Sequence, residues 1–171
     1  MIIITHTHYD HVHGLHTLLH HTGAKLLVPE AESDNLLQGH TPMPKGTTLF
    51  SKIMSWVGRK FLKSMSYYHP ETPTLTFEET LDLQPYGFAG YVLHTPGHTE
   101  GSSSVIIEDL AFVGDTMFGI NRKTIYPPFA NDERELLKSW EKLLATGAKF
   151  FYPGHGSKIS REKLDLALKI R

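Results

Sequence analysis

Four side chains able to bind a metal ion fall within six residues near the start of the chain: His6, His8, Asp10 and His11, in the run Thr5-His6-Thr7-His8-Tyr9-Asp10-His11. Imidazole and carboxylate together suit zinc-type ions. The run follows Ile2-Ile3-Ile4, so it reads as a strand end opening into a metal loop. On an extended backbone alternate side chains share a face, which groups His6, His8 and Asp10 and turns His11 elsewhere. That break suits two neighbouring ions, one taking His6 and His8, the other Asp10 and His11. The plainer alternative, a solvated His-rich stretch that binds metal incidentally, fits poorly with the regular spacing and the preceding strand-like run.

Three more polar clusters end strand-like runs: His94-Thr95-Pro96-Gly97-His98-Thr99, Gly114-Asp115-Thr116 and Pro153-Gly154-His155-Gly156. In each, a ligand sits beside glycine, twice with proline, so a tight turn can aim the side chain back at a common centre. Counting donors, His6, His8 and His98 serve one ion, Asp10, His11 and His155 a second, and Asp115 bridges them. Open positions remain for water. A zinc-type ion lowers the pKa of bound water from about 15.7 to about 7, so a water shared by two ions is hydroxide near neutrality and the nucleophile is solvent. Asp115 alone would be an ordinary turn residue; its company gives it the bridging role.

The four segments, in this order, resemble the metallo-β-lactamase superfamily of dinuclear metallohydrolases. The resemblance runs from Ile2 to the last helix and carries the family's ligand roles onto His6, His8, Asp10, His11, His98, Asp115 and His155. It implies an α/β fold, an αββα sandwich with the metals at one edge, holding two divalent ions, zinc foremost, with iron or manganese as alternatives. Residues 95 to 102 (Thr-Pro-Gly-His-Thr-Glu-Gly-Ser) and 114 to 118 (Gly-Asp-Thr-Met-Phe) look most like the glyoxalase II-like branch, whose members commonly hydrolyse thioesters.

Two departures from that family bear on function. Members usually carry several strands before the His-x-His-x-Asp-His motif, so the fold is expected to be N-terminally truncated, with an open sheet edge covered by a second copy (a homodimer) or another polypeptide, unless the chain is a shortened product. Glyoxalase II proper also has a C-terminal helical domain that helps hold glutathione, and glutathione recognition does not carry over.

The elements that position these residues follow from apolar periodicity. Ile2 to Ile4 and Leu26 to Val28 read as parallel strands joined by a helix bearing Leu15, Leu18 and Leu19 and stopped by Gly23. Residues 39 to 47 form a loop. From Leu81 short β-like runs (81–83, 88–93, 104–107 and 110–113) suggest an antiparallel meander. Asp132 caps a helix over 133–146, Lys149 to Tyr152 is a final strand, and a helix follows Ser160. At 171 residues and 40% hydrophobic, the chain is expected to be one domain, 1–171, with a helical insertion around 47–65.

Composition narrows the function classes. A formal charge of −1 from 17 basic and 18 acidic residues provides no bulk field for nucleic acid, and no cysteine is present for thiolate chemistry or disulfides. The opening apolar run is too short for a signal peptide or membrane span, which makes a cytoplasmic protein the expectation.

Of the remaining residues, His94 is balanced between supporting a ligand and ending a strand. His13, His16, His20 and His21 decorate a helix surface, His40 and His69 lie in loops without a role, and alternation points Tyr9 away from His8 into packing. Arg122 and Lys123 either attract an anionic substrate group or are plain surface charge. The apolar and basic segment Leu49 to Lys63 is a lid over the metal site, a dimer or membrane-surface helix, or core. The functional expectation is a hydrolase in which a metal-bridging hydroxide attacks a small-molecule thioester or lactone, with Asp10 also orienting the nucleophile. The alternatives are an iron-dependent oxidoreductase with persulfide or oxygen chemistry and a catalytically silent truncated subunit.

Overall fold

The computed structural model describes residues 1–170. Two sheets face each other. In the first, β1 (Ile2–Ile3), β2 (Leu26–Pro29) and β3 (Leu75–Phe77) are parallel in that order. Parallel neighbours need crossovers. The short turn α1 (Tyr9–Val12) and α2 (Leu15–Thr22) link β1 to β2, while α3 (Glu30–Gln38) and α4 (Leu49–Phe61) lie between β2 and β3.

The second sheet orders β4 (Thr80–Asp82), β5 (Gly90–His94), β6 (Ser103–Ile107), β7 (Leu110–Gly114), β8 (Phe150–Pro153) and β9 (Ile159–Ser160). All its pairs are antiparallel except β7 with β8, because α5 (Glu133–Ala145) carries the chain back before β8 begins. The closing helix α6 spans Arg161–Lys169.

Strand alternation sorts the apolar residues into three layers. On β2, Leu26 and Val28 join Ile4, Val12, Leu15 and Leu36 on the helix side, while Leu27 joins Phe77, Val92 and Val105 between the sheets. Full burial of a Leu or Val contributes about 1.5–3 kcal/mol, and a one-residue slip would send every side chain to the wrong layer, so this strand's register is strongly fixed. Across the second sheet, Ile106, Ala111, Val113 and Phe151 pack on Trp140, Leu143 and Leu164 of α5 and α6. The result is an αββα sandwich. Among the described residues no helix is long and apolar enough to cross a membrane.

Four features depart from expectation. The backbone is extended only to His8, after which α1 makes a helical turn, so His11 reaches the centre by helix geometry rather than strand alternation. The helix α3 has signals that pattern reading passed over: an acidic first turn (Glu30, Glu32) and Gly39 in the left-handed conformation at its end. The short strands β3 and β9 were also passed over. Leu18 of the expected inward stripe is exposed, leaving Leu15 as the buried residue of α2.

Candidate metal centre

The seven candidate ligands all follow strand ends. The segment after β1 carries His6, His8, Asp10 and His11; the turn after β5 carries His98; the ends of β7 and β8 lead to Asp115 and His155. Since β5 and β7 are each antiparallel to β6, and β8 is parallel to β7, these three strands deliver their ligands at the same edge of the second sheet.

The side chains form neighbouring triads. Nitrogen or oxygen atoms of His6, His8 and His98 lie within 4.8 Å of one another, as do those of Asp10, His11 and His155, and those of His6, His11 and Asp115. His8 Nδ1 is 2.9 Å from His98 Nε2. Asp10 Oδ2 is 3.0 Å from His155 Nε2 and 3.8 Å from His11 Nε2. Asp115 lies between the groups, with Oδ1 3.4 Å from His11 Nε2 and Oδ2 3.6 Å from His98 Nε2 and 3.5 Å from His155 Nε2.

Electrostatics favour a cation here. Burial, then the neighbouring imidazoles, pushes His6 and His8 well below the ordinary histidine range, and burial lowers His98 against the pull of Asp115. These rings are therefore neutral and keep lone pairs to offer. Burial opposes ionisation of Asp115, yet the facing His11 and His155 rings hold its carboxyl far below the usual range. Hydrogen bonding to Asp115 pushes His155 up to about 9.

Four of the six buried side-chain atoms that lack a hydrogen-bond partner among the described residues are His6 Nε2, His8 Nε2, His11 Nε2 and Asp115 Oδ1. An unpartnered buried polar group costs about 1–3 kcal/mol, so four at one place mark a site shaped for something beyond the chain itself. The residues fit divalent metal ions. By contrast, the surface group His16, His69 and Glu71 is satisfied internally, with both His Nδ1 atoms on Glu71 Oε1 at 2.6 and 3.2 Å.

Surrounding groups hold these candidate ligands in place. His98 Nδ1–H donates to Phe129 O at 2.9 Å, which leaves Nε2 free to face the centre. Gly97, at φ +131, lies so close to α5 that a Cβ would meet the Leu136 amide nitrogen at 2.3 Å. Gly154 abuts the candidate ligands themselves: a Cβ there would stand 2.4 Å from Asp115 Oδ1 and 2.7 Å from His11 Cε1. This requirement for no side chain explains the glycine beside His155.

Sequence reasoning missed Glu32. This carboxylate is only 1% exposed. It accepts from the Thr7 amide at 3.0 Å, the Thr7 hydroxyl, the Thr99 hydroxyl at 2.5 Å and the Gly101 amide at 3.2 Å. It joins the loop of His6 and His8 to the turn of His98, and the one available clue was an acidic residue on the buried side of an overlooked helix.

Other expectations resolve as follows. His94 closes its own turn, with Nε2 2.8 Å from Glu100 O, and makes no ligand contact. Tyr9 stacks on His13 and also borders a cavity of about 310 Å³ that opens on His8, Asp10, His98, Asp115 and His155. The apolar wall of this cavity is Met43, Pro44, Met65, Phe118 and Phe129. Arg122 and Lys123 are exposed and do not line it. The core reading of α4 is overturned, since its buried residues are Ser51, Ser55 and Gly58.

Comparison with known proteins agrees with this fold. A profile of the metallo-beta-lactamase superfamily matches residues 2–155. A hydroxyacylglutathione hydrolase of Shewanella pealeana is 27% identical over 117 residues, 68% of this chain and 32% of that protein. A probable metallo-hydrolase of Methanocaldococcus jannaschii is 26% identical over 159 residues, 91% of this chain and 69% of that protein. The chain thus spans about a third of one relative and about two thirds of the other. A crystal structure of an archaeal metallo-beta-lactamase superfamily protein from Sulfolobus tokodaii superposes with a TM-score of 0.69 at 22% identity, covering 99% of this chain and 66% of that one.

Proposed function

The chain belongs to the metallo-beta-lactamase superfamily, a group of mostly metal-dependent hydrolases, and from that premise we propose that it hydrolyses an ester-type bond, a thioester or lactone, with two metal ions. The observation that carries this reading is the pair of adjacent ligand triads with Asp115 between them and unpartnered buried atoms at their centre. His6, His8 and His98 would hold one ion; Asp10, His11 and His155 the other; Asp115 would touch both. These residues would hold zinc-type ions, which would supply Lewis acidity toward a carbonyl oxygen and a water that ionises near neutrality.

The chain's own groups do the rest. Phe129 O fixes the His98 ring, and Glu32 fixes the spacing of the two ligand-bearing segments. Asp10 borders the cavity and is half-exposed, and in this reading its carboxylate would also orient an attacking water. Met43, Pro44, Met65, Phe118 and Phe129 receive the acyl part of a small-molecule substrate and exclude bulk water from the bond being cut. Among the described residues β1 pairs with β2 alone, so its other edge would accept a further strand, for instance from a second copy.

Elemental analysis of protein made without added metal, followed by an anaerobic assay on simple thioesters and lactones, tests the proposal. Turnover lost in His98→Ala supports it. Iron with turnover that depends on oxygen replaces it with oxidative chemistry on the same ligands, and inactivity towards every ester with both ions loaded overturns it.

A further inference from the structure

The helix α4 is built inside out. Its inward face consists of Ser51, Ser55 and Gly58, seated on the segment before it: Ser55 Oγ donates to Pro44 O at 2.6 Å, and a Cβ on Gly58 would meet Met43 Sδ at 2.2 Å. Its large apolar residues point to solvent, with Leu49 78%, Phe50 73%, Phe61 65%, Trp56 58% and Ile53 56% exposed. The helix is not a frayed insertion, because Thr48 and Ser51 form a reciprocal capping box at its start. A soluble chain rarely leaves so wide an apolar face uncovered without a partner for it.

Charge identifies the partner. From residue 35 to residue 70 there is no acidic residue, yet the stretch carries Lys45, Lys52, Arg59, Lys60 and Lys63, in a chain whose net charge is −1. Lys60 lies along the apolar face with Nζ 5.2 Å from the Trp56 ring, in the manner of a lysine that buries its stem and keeps its ammonium at a polar boundary. Two copies joined through this face would bring like charges together. An apolar face bearing Trp and Phe, edged by cations with no acid, matches a helix lying in the headgroup region of an anionic bilayer. We propose that α4 docks this protein on anionic lipid surfaces. Docking would seat the segment carrying Met43 and Pro44, which walls the metal cavity, beside the bilayer.

Vesicles of phosphatidylcholine mixed with phosphatidylserine, compared with phosphatidylcholine alone, test this in co-sedimentation and by tryptophan emission. Trp140 is fully buried and Trp56 exposed, so a blue shift reports Trp56 entering lipid. The expected result is a shift and co-sedimentation with the anionic vesicles, reversed by high salt. Lys52→Glu with Lys60→Glu should weaken this binding by roughly tenfold or more. Phe50→Asp should abolish it while metal content and circular dichroism stay unchanged. Absence of binding, equal binding to both vesicle types, or self-association in solution that Phe50→Asp removes would each overturn the proposal, the last in favour of a second copy.

Discussion

Thr99 donates its hydroxyl to Glu32 Oε1 at 2.5 Å, and the other oxygen of the same carboxylate takes the Thr7 amide at 3.0 Å, so two segments 92 positions apart in sequence are pinned by one buried acid. Removing that acid should loosen both ligand-bearing segments. In Glu32→Ala the Thr7 and Gly101 amides lose their acceptor, at about 1–3 kcal/mol for each buried donor left unpaired. Outer groups of this kind typically change metal affinity by about 10–100-fold, and a fall in that range is expected in a chelator competition assay. Glu32→Gln, which keeps the shape, should fall less. Unchanged affinity in the alanine variant would contradict the positioning role.

Gly154→Ala is expected to be disproportionately harmful for one added methyl, because its Cβ would press on Asp115 Oδ1 and His11 Cε1. Displacing a reacting centre by about an ångström can cost roughly a hundredfold in rate. Turnover of the proposed ester-type substrate should drop on that scale, with loss of bound metal visible in elemental analysis. An active, fully loaded variant would show that the two ligand segments are not in contact as described.

The seven candidate ligands were legible because metal chemistry demands particular residue types: four crowd into the run His6 to His11 after a strand, and His98, Asp115 and His155 each sit next to glycine at a strand end. The helix α5 with its Asp132 cap and the meander from Leu81 were legible for similar local reasons. Glu32 was not. Its role depends on α3 packing against two loops distant in sequence, and one acidic residue in an overlooked helix carries no period or spacing that reports such contacts. The outward face of α4 was illegible too, because periodicity finds an apolar stripe but cannot say which side the fold covers.

The metal-free protein should be most stable near pH 6.5. Burial lowers His6, His8 and His98 below the unfolded value of 6.5, so acidification through that value protonates the unfolded chain first and stability falls with pH. His155 is raised to about 9, so its contribution is complete below 6.5 and is lost as pH rises through about 9. Urea unfolding of metal-free protein across this range should show decline on both sides. His155→Gln should flatten the alkaline side alone, and an unchanged alkaline limb in that variant would refute the assignment.

Sedimentation of the purified chain bears on the free edge of β1. Pairing of that edge with a second copy predicts a dimer that survives Phe50→Asp, since α4 takes no part in the strand pairing of β1. A well-behaved monomer at all concentrations would contradict pairing of that edge with a second copy.

Metal stoichiometry tests the central claim most directly. Elemental analysis of the wild-type chain should find about two divalent ions per molecule, as expected where one carboxylate bridges a pair of sites. His8→Ala and His98→Ala should each lose the ion of the first triad, and Asp115→Ala should weaken both. Stoichiometry unchanged by His8→Ala and His98→Ala would contradict the account.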